Sequence, residues 1–168
     1  MDEWQRLWRR VHPPDEVRLG ADLRWADLEP TDYFIRLWDD DDLRACAWVT
    51  RRTIAVAGQH TVAAGVRGVM TDPAYRRRGF GRLVMERAHE VMRACPDCEF
   101  GLLFSSVMAA RFYEALGWRT VRGPVRCEQP EGAIDYTRRL PTAPVMVLMK
   151  DPASQPPSGP IDVGGLPW

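Results

Sequence analysis

Hydrophobic and polar residues follow two different periods along this chain. From Tyr33 to Thr71 the apolar positions fall in runs rich in β-branched, aromatic and small side chains: DYFIRLW (32–38), LRACAWVTRRTIAVAG (43–58) and HTVAAGVRGVMT (60–71). The acidic DDDD (39–42) and the GQ pair (58–59) separate them. Runs of this kind bounded by turn residues predict strands, and connections this short predict a meander of three antiparallel strands. After Pro73 the spacing becomes helical. Over 81–94, Leu83, Val84, Ala88, Val91 and Met92 share one helical face, EFGLLFSS (99–106) has the length of a buried strand, and VMAARFYEALGW (107–118) is again amphipathic, with Gly117 as its stop. VMVLMK (145–150) predicts a further strand. Before Tyr33, the HPP at 12–14 ends any helix begun at Asp2, and after Lys150 five prolines among eighteen residues predict an irregular tail running to Trp168. With no internal repeat, the order predicts one α/β (α+β) domain over residues 1–168: a mixed, mostly antiparallel sheet flanked by helices.

Composition narrows the function more than the fold. The 168 residues carry 23 basic and 23 acidic side chains, which disfavours a nucleic-acid partner, since such domains are usually basic. All of the basic residues except Lys150 are arginine, so no single arginine is diagnostic. The charged start, MDEWQRLWRR, has no apolar signal core, and no run approaches the ~18 apolar residues of a membrane span, so a cytoplasmic protein with no membrane association is expected. Cys46, Cys95, Cys98 and Cys127 are then expected as reduced thiols. CPDC (95–98) has metal-like spacing but no second pair, and His12, His60 and His89 are scattered, so a turn after a helix is expected there and no metal site.

One stretch carries chemistry. DPAYRRRGFGRL (72–83) follows a predicted strand and opens a predicted helix, with glycines at 79 and 81 and arginines at 76–78. Main-chain N–H groups at a helix start face outward with the positive end of the dipole, and glycine lets a ligand approach them closely. A pyrophosphate suits that arrangement. A strand-to-helix corner with solvated arginines is the plainer alternative, and a lone R-x-x-G-x-G does not separate the two. A Walker loop and a dinucleotide fingerprint are both excluded by spacing.

VRGVMTDPAYRRRGFGRLVMERA, EFGLLFSS and AARFYEALGW, in that order, resemble the GNAT superfamily of acyl-CoA N-acyltransferases over roughly residues 33–150. The resemblance implies that fold and acetyl-CoA as cosubstrate. It implies a pyrophosphate cradle from Arg76, Arg77, Arg78, Gly79, Phe80, Gly81 and Arg82, with Val69, Met70 and Thr71 beside the pantetheine in a splayed gap between the strands at 60–71 and 99–106. A main-chain N–H around Val69–Met70 would relieve charge on the thioester oxygen, and Tyr113 would return a proton to the departing sulfur. Without the flanking match, Tyr113 reads as a core aromatic. The strand position where many relatives carry a carboxylate base holds Arg67, which takes up no proton at neutral pH.

Within the superfamily the second half is similar to the aminoglycoside 2'-N-acetyltransferases: ARFYEALGW, then RGP, a VMVL strand and a tail ending in tryptophan. That resemblance implies a tail (151–168) folded back to the active site, the Trp168 carboxylate at the substrate amine with a part in proton relay through water, and a substrate-side segment at 1–30 in which Asp22 and Asp27 contact amines. Gly68 and Ser105 would line the acceptor. The chain departs from that branch at Arg67, Pro141, Leu166 and Phe104, where acids or a serine are expected. Fewer carboxylates suit an aminosugar with fewer amines and a carboxylate for Arg67 to grip; kasugamycin fits that description. The alternatives are a GNAT enzyme for another small amine or peptide amine, and a non-catalytic CoA-binding regulatory domain. Superfamily members often pair, so a homodimer is compatible.

Overall fold

A computed structural model describes residues 2–12 and 31–168. Helix α1 (Glu3–Val11) is followed by the hairpin strands β1 (Tyr33–Asp39), β2 (Asp42–Val56) and β3 (Gln59–Thr71). These pair antiparallel in sequence order, as their short connections require. Asp40 (φ 52°) turns the first corner, and Ala57 (φ 48°) with Gly58 (φ 82°) the second, both in left-handed backbone. Helix α2 (Phe80–Ala94) crosses to β4 (Cys98–Phe104), which lies parallel to β3. Helix α3 (Val107–Glu114) leads through Gly117 (φ 89°) into β5 (Arg119–Thr120). β6 (Val125–Gln129), β7 (Gly132–Asp135), the four-residue helix α4 (Tyr136–Arg139), β8 (Val145–Met149) and β9 (Ile161–Asp162) complete the chain. The sheet order is β5-β8-β4-β3-β2-β9-β6-β7, with β1 on the edge of β2 beside β9. The predicted mixed, mostly antiparallel sheet is the one observed.

Both faces of this sheet are covered. α2 and α3 lie on one face over Ala45, Ala47, Val49, Ala64, Val66 and Leu103. The opposite face is split: α1 covers Leu43, Cys46 and Met70 through Leu7, while β6, α4 and the tail bury Ile54, Ala63, Phe100 and Leu102. Double coverage explains why β2 buries Ala45, Cys46 and Ala47 in succession where a one-sided strand would alternate.

The helices shift from their sequence pattern. In α2 the buried face is Val84, Met85, Ala88, His89 and Met92, whereas Leu83 is 52% exposed. His89 replaces Leu83 because it has a partner: the Trp118 Nε1–H donates to His89 Nε2 at 2.9 Å. α3 is shorter than the amphipathic run, since a turn begins after Glu114. CPDC forms the expected turn, and the four cysteines are free thiols. Residues 119–135 and 161–162, to which the pattern assigned no element, supply four short strands of two to five residues, too short for periodicity to register. Among the described residues no helix is long and apolar enough to cross a membrane, and no cluster of His, Cys, Asp and Glu could hold a metal.

Candidate functional site

The site builds from the carboxyl end of β3. Pairing with β4 runs from Val62↔Cys98 to Gly65↔Leu102 and then stops, so Val66–Thr71 and the end of β4 diverge into an open fork. Within the diverging part, β3 carries one residue too many: Met70 faces Cys46 and Arg67 faces Trp48, a gap of three against two. That mismatch is a β-bulge at Gly68–Val69, made possible by Gly68 in left-handed backbone (φ 56°). A bulge leaves its extra residue out of the ladder, and here that backbone is exposed at Gly68 and half-buried at Val69. Met70 is buried under α1, whereas Thr71 is half-buried beside Gly81.

After Asp72 a 3-10 turn (Pro73–Tyr75) leads to the phosphate-like loop. Arg77 (φ 60°) and Gly79 (φ 86°) are both left-handed, and Gly79 is the N-cap of α2 with no side-chain cap. Alternation into left-handed backbone turns successive N–H groups inward, and the first turn of α2 adds N–H groups that the helix itself cannot satisfy. Loops of this kind ahead of a helix serve as anion sites in general. The two glycines do different jobs. Gly79 is required by its backbone angle, since nothing lies within 4 Å of its missing Cβ. Gly81 has ordinary backbone but lies close-packed: a Cβ there would sit tightly against Thr71 Oγ1 at 3.0 Å and in contact with Phe112 at 3.5 Å. Arg76 and Arg77 are exposed, Arg78 lies over the Tyr75 ring at 4.9 Å, and Arg82 pairs with Glu86 at 2.7 Å.

On the face opposite α2, two indoles occupy the places of missing side chains on β3. A Cβ on Gly65 would fall 2.2 Å from the Trp168 ring, and one on Gly68 would fall 2.3 Å from the Trp48 ring. Arg67, only 7% exposed, shares that face with Gly65 and is paired across the ladder with Trp48. Trp48 stacks on Phe34 (4.4 Å between centroids, 5° between planes) and meets the edge of Trp4 from α1 at 5.9 Å. Trp168 is held by Arg52, whose guanidinium lies 4.4 Å over the ring and donates to Val163 O (3.3 Å) and Leu166 O (2.8 Å). The tail that composition marked as irregular is therefore fastened, with its last residue at the point where β3 and β4 part.

Tyr113, on α3, packs on the α2 side of the fork, with Phe112 at 5.0 Å and Trp118 at 6.3 Å. Burial pushes its phenol pKa well above the ordinary tyrosine value, so the group is protonated at neutral pH. Ser105 is buried just past β4, and its hydroxyl donates to Ser106 O at 2.8 Å. Asp22 and Asp27 lie outside the described residues.

A protein family described as an acetyltransferase (GNAT) domain matches residues 1–121. The chain belongs to the GNAT acetyltransferase family. A GNAT N-acetyltransferase from Escherichia coli solved in complex with CoA superposes with a TM-score of 0.57 at 13% identity, covering 82% of this chain and 73% of that one. The E. coli ribosomal-protein-S18-alanine N-acetyltransferase matches 71% of this chain and 70% of its own at 21% identity, TM-score 0.47. A GCN5-related N-acetyltransferase from Kribbella flavida is 26% identical over 52% of this chain, with a TM-score of 0.48; this chain spans about a fifth of it, 21%. No curated protein matches.

The GNAT fold thus brings Gly68–Thr71, Arg76–Arg82, Tyr113, Arg67 and Trp168 to the two faces and mouth of one fork. Sequence reasoning missed Gly65, Trp48, Arg52 and Asp72. Gly65 and Gly68 three residues apart in a strand were the available signal, since glycine inside a strand marks a bulge or a close approach.

Proposed function

We propose that this GNAT domain transfers acetyl from acetyl-CoA to a primary amine, and that the acceptor is an aminosugar. The observation that carries the coenzyme half is the fork: diverging strands, an exposed bulge at Gly68–Val69 and an uncapped helix start with left-handed Arg77 and Gly79, all at the end of β3. The donors of Arg77–Arg82 would hold the pyrophosphate. Acetyl-CoA supplies an activated acyl group as a thioester. The bulge N–H would donate to the thioester carbonyl oxygen, a preorganised contact of the kind that lowers acyl-transfer barriers. The amine nitrogen would bond to the acetyl carbon as the carbon–sulfur bond breaks. The proton the amine loses would pass to a water oriented by the Trp168 carboxylate, and Tyr113, kept neutral by burial, would give its own proton to the departing sulfur.

The acceptor half rests on the opposite face. The buried Arg67 lies there beside Trp48, and a planar guanidinium is a bidentate partner for a carboxylate borne by a sugar. This favours an aminoglycoside-type substrate with few amines, acetylated at a 2'-amine, for which kasugamycin is the first compound to test; such an activity would confer antibiotic resistance. Asp22, Asp27, Gly68 and Ser105 are proposed as further acceptor-side residues, and Trp168 as the group that closes this side.

The test is thiol release from acetyl-CoA against kasugamycin, polycationic aminoglycosides, polyamines and peptide amines. Turnover of a carboxylated aminosugar that falls in Arg67→Gln supports the reading. Turnover of peptides or polyamines alone sinks the acceptor half and keeps the coenzyme half.

A further inference from the structure

Asp72 stands between β3 and the phosphate-like loop and is 4% exposed. A buried carboxylate needs charged partners, and Asp72 draws them from two other elements. Its Oδ2 accepts from Arg10 Nε of α1 at 3.1 Å and from Arg44 Nη1 of β2 at 3.2 Å. Its Oδ1 accepts the Ala74 N–H at 3.1 Å, and its own N–H donates to Arg44 O at 2.7 Å. Arg10 is fixed a second time, by donation from Nη2 to Leu43 O at 3.1 Å. Arg44 reaches onward: its guanidinium lies 4.4 Å over Tyr75, and the Tyr75 ring meets Phe80, the first residue of α2, at 5.1 Å. A continuous path of ion pairs and ring contacts therefore runs from α1 through Asp72 to the start of α2.

We infer, on the coenzyme-binding reading of the loop, that Asp72 is a positioning residue for the pyrophosphate donors and that α1, through Arg10, is part of the coenzyme site's support. Arg10 and Arg44 stand beside a loop that already holds Arg76, Arg77 and Arg78. Arg44 keeps a second carboxylate, Asp42 at 3.0 Å, but without the Asp72 charge the direction in which the loop leaves β3 is no longer set by two ion pairs.

The test is CoA binding by titration calorimetry on the full chain, with melting followed in parallel. Asp72→Asn keeps an oxygen for the Ala74 cap and removes the charge; Arg10→Met keeps the stem and removes the tie to α1. Each is expected to weaken CoA about tenfold. The double variant should be no weaker than Asp72→Asn alone, because both remove the same contact. Arg10→Lys should recover most of the loss. Folded variants that bind CoA within about twofold of the wild type overturn the assignment, as do additive losses. A lowered melting temperature with unchanged affinity makes the trio structural only and also overturns it. Should Asp72→Asn fail to fold, Arg10→Met against Arg10→Lys carries the same decision. A wild-type chain that does not bind CoA overturns the coenzyme reading itself, and this assignment with it.

Discussion

At the scale of single residues, burial decides protonation. Tyr113 is held neutral by its apolar surroundings, so the proton that its proposed role needs is in place, while the same burial makes the phenol a weaker acid than an exposed tyrosine. Tyr113→Phe is expected to lower kcat by ~10²–10⁴-fold while CoA affinity holds, read by steady-state rates beside calorimetry. His89 moves the other way: burial first, then Arg93, lower its pKa from 6.5 to about 4. The unfolded chain binds a proton at this position at a higher pH than the folded one. Its contribution to stability is therefore complete above pH 6.5 and is lost as pH falls from 6.5 towards 4, by up to about 3 kcal/mol. His89→Gln, which can still accept from Trp118, should flatten that acid limb of the melting-temperature profile. At Gly79 the positive φ alone is at stake, so Gly79→Ala should cost roughly 1–2 kcal/mol by chemical denaturation.

At the scale of elements, the tail is the least expected piece. Its prolines and glycines read as irregular, and most of it is; what fastens it is Arg52, a residue more than a hundred positions earlier in the chain. Gly65→Ala places a methyl where the Trp168 ring lies, so the ring must leave. The expected result is faster proteolysis of the tail and reduced amine turnover with little change in CoA affinity; a tail that stays protected would show that Trp168 finds another seat. The three hairpin strands and α2 were legible because their apolar periods are long. β5, β6, β7 and β9 were not, because strands of two to five residues take their pairing from neighbours. Leu83 illustrates the same limit: periodicity put it on the buried face, but His89 is buried with it exposed, because a hydrogen bond to Trp118 satisfies the imidazole.

For the whole molecule, the balanced charge and the arginine-rich loop are reconciled by where the arginines go. Arg78 stacks on Tyr75, Arg82 pairs with Glu86, and Arg10 and Arg44 converge on Asp72, so an anion held at the loop as proposed would meet chiefly main-chain N–H groups, with the exposed Arg76 and Arg77 beside it. Sequence by itself determined the order of the long elements, the GNAT resemblance and the stretch that would hold a phosphate, because these depend on local spacing and on glycines at fixed offsets. Only the tertiary structure decided that β3 and β4 part at Gly65, that a bulge at Gly68 opens the backbone there, and that Trp48 and Trp168 roof the same strand. Those features depend on which residues lie opposite one another across a sheet and which distant side chain fills the space a glycine leaves, and no period along a single chain encodes that.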